Sequence, residues 1–235
     1  AINEETLRHF RALLQFDTSD PPGRELPAAE YIRDVLEAEG FEVEMLANND
    51  ERPNVVTRLK GNGSKEPLLI MAHTDTVNVD PAKWTFPPFS STVDGGYVYG
   101  RGAVDDKDNL AAGLMVMLEL KRQGIKLDRD VIFLAESGEE GATEFGIEFM
   151  INEHFDKIES EFCLAEGGSV ARVNREVQYA GIQSVEKIPY QINLTATGVA
   201  GHGSVPLQTN PVVRLAKAMA AVADWPSPIR LNETT

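Results

Sequence analysis

The stretch Pro67-Leu-Leu-Ile-Met-Ala-His-Thr-Asp-Thr76 decides the reading of this chain. Leu68 to Ala72 form a short apolar run of the kind that fills a strand buried on both faces of a parallel sheet. The run stops at His73 and Asp75. On an extended chain residues i and i+2 point the same way, so both side chains can look into one cleft beyond the carboxyl end of the strand, where open α/β sheets bind ligands. A histidine followed two residues later by a carboxylate can offer one ring nitrogen to a metal while the acid holds the other N–H. A hydrogen-bonded structural histidine at a strand end is the plainer alternative.

Working outward, 235 residues suffice for one large domain or two smaller ones. The composition, 42% hydrophobic and 25% charged, is that of a soluble globular chain. A formal net charge of −15 argues against nucleic acid or an anionic membrane as partner. No apolar run is long enough to span a bilayer, and Ala1 to Glu5 do not carry a signal-peptide pattern, so the expected location is cytoplasmic. The single cysteine, Cys163, excludes an internal disulfide and falls within an apolar strand, where it is expected to pack into the core.

Upstream, residues 3–16 space Leu7, Phe10, Leu13 and Leu14 as an amphipathic helix, and Pro27 to Glu39 read as a second helix. Asp17 to Gly23 is a loop by its turn chemistry. Strands are expected at 41–46 and 54–59. Downstream, 78–96 is a long Pro-, Ser- and Gly-rich loop of the kind that shapes sites. Tyr97 to Lys107 lead through Gly100 and Gly102 into a helix reaching about Gln123, with Asp105 at or just before its start. There the carboxylate can be a helix cap or a ligand. A buried strand at 130–136 runs into Ser137-Gly-Glu-Glu-Gly141, whose acids can be ligands or the first turn of a helix reaching about Asn152. A short strand at 161–165 ends in Glu166-Gly-Gly168. A longer strand, 188–197, then precedes Gly198-Val-Ala-Gly-His-Gly-Ser204 and a helix over about 210–223.

The expected fold is therefore α/β, a mostly parallel sheet flanked by helices over residues 1–185, with the start of a small α+β domain over 186–235. His73 with Asp75, Asp105, Glu139 with Glu140, and Glu166 all follow core strands or the elements just after them. Carboxylates that converge at one end of a sheet repel each other unless cations lie among them. Two divalent ions account for the set. Mixed imidazole and carboxylate donors suit Zn2+, with Co2+ or Mn2+ as alternatives. A metal pair suits hydrolysis, with a further carboxylate free as general base.

These motifs, His73-Thr-Asp75, Gly100-Arg-Gly-Ala-Val-Asp105-Asp-Lys107, Glu139-Glu140 and Glu166-Gly, resemble the co-catalytic zinc peptidases and deacylases. That family includes acetylornithine deacetylase, succinyl-diaminopimelate desuccinylase, glutamate carboxypeptidase and aminoacylase. The resemblance implies that His73 and Glu166 bind one zinc, Asp105 bridges both and Glu140 binds the second. It implies that Glu139 is the general base and that Asp75 orients His73. It makes residues 186–235 the beginning of a lid domain that forms a homodimer, in which His202 holds the substrate's developing oxyanion. A turn histidine flanked by glycines is the alternative for His202. The implied function is hydrolysis of an amide bond in small N-acyl amino acids or C-terminal peptides, of carboxypeptidase or deacylase type, with glutamate at 166 pointing to those members over the aminopeptidases. The alternative is a non-catalytic, metal-binding or dimerising relative.

Two departures stand out. Asp108 and Asn109 occupy positions where the family has glycines, and no histidine follows His202 to close the second zinc site. The chain is thus expected to lack the rest of the lid, that histidine and the residues for the substrate's α-carboxylate, and to be inactive alone. A nucleophilic hydrolase is disfavoured: there is no Gly-x-Ser-x-Gly elbow, and Ser137 has no evident histidine base. The glycine-rich 198–203 lacks the lysine of a phosphate loop.

Overall fold

The computed structural model describes residues 2–182 and 191–231. In chain order it opens with α1 (Ile2–Leu13), β1 (Ser19–Asp20), α2 (Leu26–Ala38), β2 (Val43–Leu46), β3 (Asn54–Leu59), β4 (Leu68–His73) and β5 (Thr76–Val77). A hairpin of β6 (Thr92–Asp94) and β7 (Tyr97–Tyr99) then leads to α3 (Lys107–Arg122) and β8 (Val131–Glu136). After these come α4 (Ile147–Glu153), α5 (Phe155–Ile158), β9 (Phe162–Leu164), β10 (Ser169–Val173), β11 (Glu176–Gly181) and α6 (Pro211–Ala223).

The main sheet has the order β2-β3-β8-β4-β9. It is mixed: β4 runs parallel to β8 and β9, whereas β3 runs antiparallel to β2 and β8. The class is α/β as expected, with the parallel part confined to the three strands that lead to the candidate site. β8 is buried throughout, and its side chains alternate between two cores. Val131, Phe133 and Ala135 pack with α1, α2 and α3 residues such as Leu13, Ile32 and Leu114, whereas Ile132 and Leu134 pack with Phe149, Met150 and Ile158 of α4 and α5. Burying each such large apolar side chain contributes roughly 1.5–3 kcal/mol. Helix α3 approaches the sheet closely at Gly113, where a Cβ would lie 2.8 Å from Phe133 Cε2 and 3.1 Å from Ile70 Cγ2.

The chain divides into two compact units, residues 1–166 and 167–235. The boundary expected near 183–188 lies outside the described residues. In the second unit β10 and β11 pair as an antiparallel hairpin, which the sequence does not announce. Of the strand expected over 188–197, the described part, 191–197, has no regular structure, and 188–190 lie outside the described residues. Among the described residues no strand pairs with 191–197, and alternation alone does not make a strand. Cys163 also departs from expectation. It lies on β9, an edge strand of the main sheet, and is exposed. Among the described residues no helix is long and apolar enough to cross a membrane.

Candidate metal centre

Three parallel neighbours, β8, β4 and β9, end on the same side of the sheet, and each delivers an acid or imidazole there. His73 is the last residue of β4 and is 1% exposed. Its register partner on β8 is Glu136. Glu166 lies just past the end of β9. Asp105 and Asp106 precede α3, whose cap position is Asp106. Asp106 does not cap the helix with its side chain. Its Oδ2 instead accepts the His73 backbone N–H at 3.2 Å, and its Oδ1 accepts from Asn109 Nδ2 at 2.6 Å. Glu139 and Glu140 belong to an irregular segment, since α4 begins only at Ile147. Neither acid is therefore a helix first-turn residue.

The His73 ring is fixed from both sides. Nδ1 lies 3.0 Å from the Asp75 backbone oxygen and 3.3 Å from Asp75 Oδ1. Both oxygens can only accept, so Nδ1 carries a proton. Nε2 then faces Asp105 Oδ1 at 3.0 Å, Glu166 Oε2 at 3.4 Å and Glu139 Oε2 at 3.8 Å. Asp75, fully buried, accepts the backbone N–H of Glu139 and of Glu140 on its two oxygens. The structure thus brings His73, Asp75, Asp105, Glu139, Glu140 and Glu166 together. His202 belongs to the second unit, where its Nδ1 lies 2.8 Å from Ser204 Oγ.

The electrostatics are those of crowded negative charge. Burial pulls the His73 imidazole down, but Asp75, Asp106 and Glu139 outweigh it and raise the group to about 10. Burial, with the neighbouring carboxylates, pushes Glu139 and Glu140 up. Asp106 rises to about 6, chiefly by burial and against its bond from Asn109. Burial also favours the neutral form of Asp75, yet the His73 ring and the two amides outweigh it and hold the group low.

Two ligand sets emerge: His73, Asp106 and Glu166, and His73, Asp105 and Glu140. Within each, one ligand atom per residue lies within 4.8 Å of the others. Imidazole and carboxylate donors around a nitrogen that must otherwise hold a proton at about 10 fit a divalent cation.

Three residues in or near the site have no role that the sequence announces. Asp106 joins a ligand set, and its only sequence signal is its place beside Asp105. Glu136, 4% exposed, has a buried Oε2 without a hydrogen-bond partner among the described residues, and burial first, then Glu139, Asp75 and Asp106, raises it to about 8. Lys107 is fully buried, donates Nζ to the Phe16 carbonyl at 2.9 Å and is lowered to about 8 by burial, against the pull of Asp17, Asp75 and Glu25.

Comparison with known proteins places the chain in a family. Residues 69–228 match the family model described as Peptidase family M20/M25/M40. The chain is 34% identical over 181 residues to the probable carboxypeptidase S-like 2 of Dictyostelium discoideum, covering 73% of this chain and 34% of that protein. It is 32% identical over 206 residues to a probable succinyl-diaminopimelate desuccinylase of Staphylococcus aureus, covering 86% and 47%. The M20 family metallo-carboxypeptidase Sso-CP2 from Sulfolobus solfataricus superposes with a TM-score of 0.62 at 27% identity, over 71% of this chain and 38% of that one. The chain thus spans between a third and a half of the length of these curated relatives. It belongs to peptidase family M20/M25/M40.

Proposed function

We propose that the whole protein is a dimetal hydrolase that cleaves the amide bond of a small N-acyl amino acid or a C-terminal peptide. The observation that carries this reading is the His73 Nε2 atom, ringed by Asp105, Glu166 and Glu139. His73, Asp105, Asp106, Glu140 and Glu166 would hold the metals, with Zn2+ the best match to the donors and Co2+ or Mn2+ as substitutes. When bound, the pair would supply Lewis-acid polarisation of the scissile carbonyl and acidify a water.

The chain's own groups do the rest. Glu139 is the general base: it lies beside His73, partly exposed, and its carboxyl is raised by burial and by Glu166, Asp75 and Asp105. It takes a proton from the attacking water and returns it to the leaving nitrogen, so atoms and charge balance over the cycle. Asp75 orients His73 and both glutamates. His202, on the second unit, would hold the developing oxyanion in a homodimer. The names of the relatives, a carboxypeptidase and a desuccinylase, support amide substrates bearing a free carboxylate.

The test is metal analysis and a panel of N-acyl amino acids and dipeptides on the full-length protein, with Glu139→Gln beside the wild type. The substitution should lower turnover about 10²- to 10⁴-fold and leave metal content unchanged. Loss of metal with unchanged turnover per bound ion would sink the assignment of Glu139. A wild type that binds metal but hydrolyses nothing would favour a non-catalytic relative.

A further inference from the structure

The segment 137–146, which carries Glu139 and Glu140, has neither helix nor strand, yet its ends are fastened. Asn54, fully buried, accepts the Ser137 N–H on Oδ1 at 3.1 Å and donates Nδ2 to the Phe145 carbonyl at 2.8 Å. Ser137 Oγ donates to the Arg52 carbonyl at 2.9 Å. The Arg52 guanidinium lies 4.8 Å from the centre of the Phe145 ring. Gly138 has φ +72°, and a Cβ there would come within 3.3 Å of Arg52 Nη2 and 2.4 Å of the Ala142 carbonyl oxygen.

Arg52 is itself 3% exposed and is held by two acids of the loop between α1 and α2. Nε and Nη2 donate to Glu25 Oε1 at 3.0 and 2.7 Å, and Nη2 also donates to Asp20 Oδ2 at 2.9 Å. Glu25 is fully buried, and its Oε2 has no hydrogen-bond partner among the described residues. A buried ionic trio with an unsatisfied oxygen is a poor way to gain stability, because apolar residues of similar volume often do as well. What such a trio supplies is geometry, since the planar fork engages its partners only in fixed directions.

We propose that Arg52 is a positioning residue for the Glu139–Glu140 pair. Its guanidinium ties the Phe145 end of 137–146 to Asp20 and Glu25, and its carbonyl takes Ser137 Oγ, while Asp75 takes the amides at the middle of the segment. This rests on the reading of Glu140 as a metal ligand.

The test is a Co2+ titration followed by visible absorption, on this chain and on Arg52→Lys, Ser137→Ala and the surface control Arg122→Met. Each protein is also melted in EDTA. Arg52→Lys keeps a charge opposite Glu25 but loses the fork and the flat stack on Phe145. It should weaken Co2+ binding by less than the roughly 10- to 100-fold that removing a direct partner of a ligand costs, and change the absorption band. Ser137→Ala removes one clip and should shift both readouts in the same direction. Arg122→Met breaks ion pairs to Glu5 and Glu39 and should lower the melt while leaving the spectrum alone. If Arg52→Lys does not fold, Phe145→Leu, which removes the ring the guanidinium lies against, decides: weakened binding supports the proposal and unchanged binding overturns it. A wild type that takes up no Co2+ overturns the metal reading, and this proposal with it. A wild type that binds, with both variants matching it in affinity and spectrum, overturns only the role of Arg52.

Discussion

One oxygen of the Asp75 carboxylate accepts the Glu140 N–H at 3.0 Å. The other accepts the Glu139 N–H at 3.1 Å and lies 3.3 Å from His73 Nδ1. A single buried acid thereby orients a ligand ring and the backbone of two functional glutamates.

Asp75→Asn preserves the shape but turns an N–H₂ toward groups that donate. Zinc affinity, measured by calorimetry, should fall about 10- to 100-fold, the usual cost of losing such a partner. Wild-type affinity in this variant would refute the orienting role.

Metal binding should strengthen as pH rises. His73, raised to about 10, and Asp106, raised to about 6, hold protons that ligation must displace. Protons released on binding make affinity climb about tenfold per pH unit for each proton lost. Co2+ titrations at pH 6, 7 and 8 check this, and a flat profile would contradict it.

Glu136 gives a stability prediction of definite sign. Its folded pKa is raised from 4.5 to about 8 by burial and by neighbouring carboxylates. Between those values the native state binds the proton more tightly than the unfolded chain, so stability falls as pH rises. Glu136→Gln removes that penalty. In metal-stripped protein it should change the melting temperature little at pH 4.5 and raise it at pH 8.5, as differential scanning fluorimetry would show. An equal effect at both values would argue against the buried, raised carboxyl.

Gly113→Ala sets two effects against each other. Alanine gains about 0.5–1 kcal/mol in a helix interior, but the new methyl meets Phe133 at 2.8 Å and Ile70 at 3.1 Å. Overpacking costs about 1–3 kcal/mol, so the net result should be a loss of roughly 1 kcal/mol in urea unfolding. A gain in stability would mean that Phe133 yields easily.

Much of this was readable from residue order. The runs at 68–73 and 131–136 are strands because each is a short apolar stretch, too brief for a helix and bounded by turn residues, and 54–59 is a third, β-branched stretch closed by Gly61. The acids that follow them mark where that sheet ends. Asp106 and Glu136 were not readable, because what sets them apart is burial beside other acids, a property of packing rather than of order. The β10–β11 hairpin was hidden for another reason. Its turn places Asn174 and Arg175 at φ +51° and +70°, and the second of these is not a glycine that would have advertised the turn. Cys163 misled because an apolar run cannot say whether its strand is central or at the edge.

The pairing of His73 with Glu136 on adjacent strands has a consequence for assembly. A slip of one residue between β4 and β8 would turn every side chain of the moving strand to the opposite face, and His73 would leave the nest altogether. A bound ion would therefore grip only the correctly zipped sheet, so that chelation and strand alignment inspect one another as the chain matures.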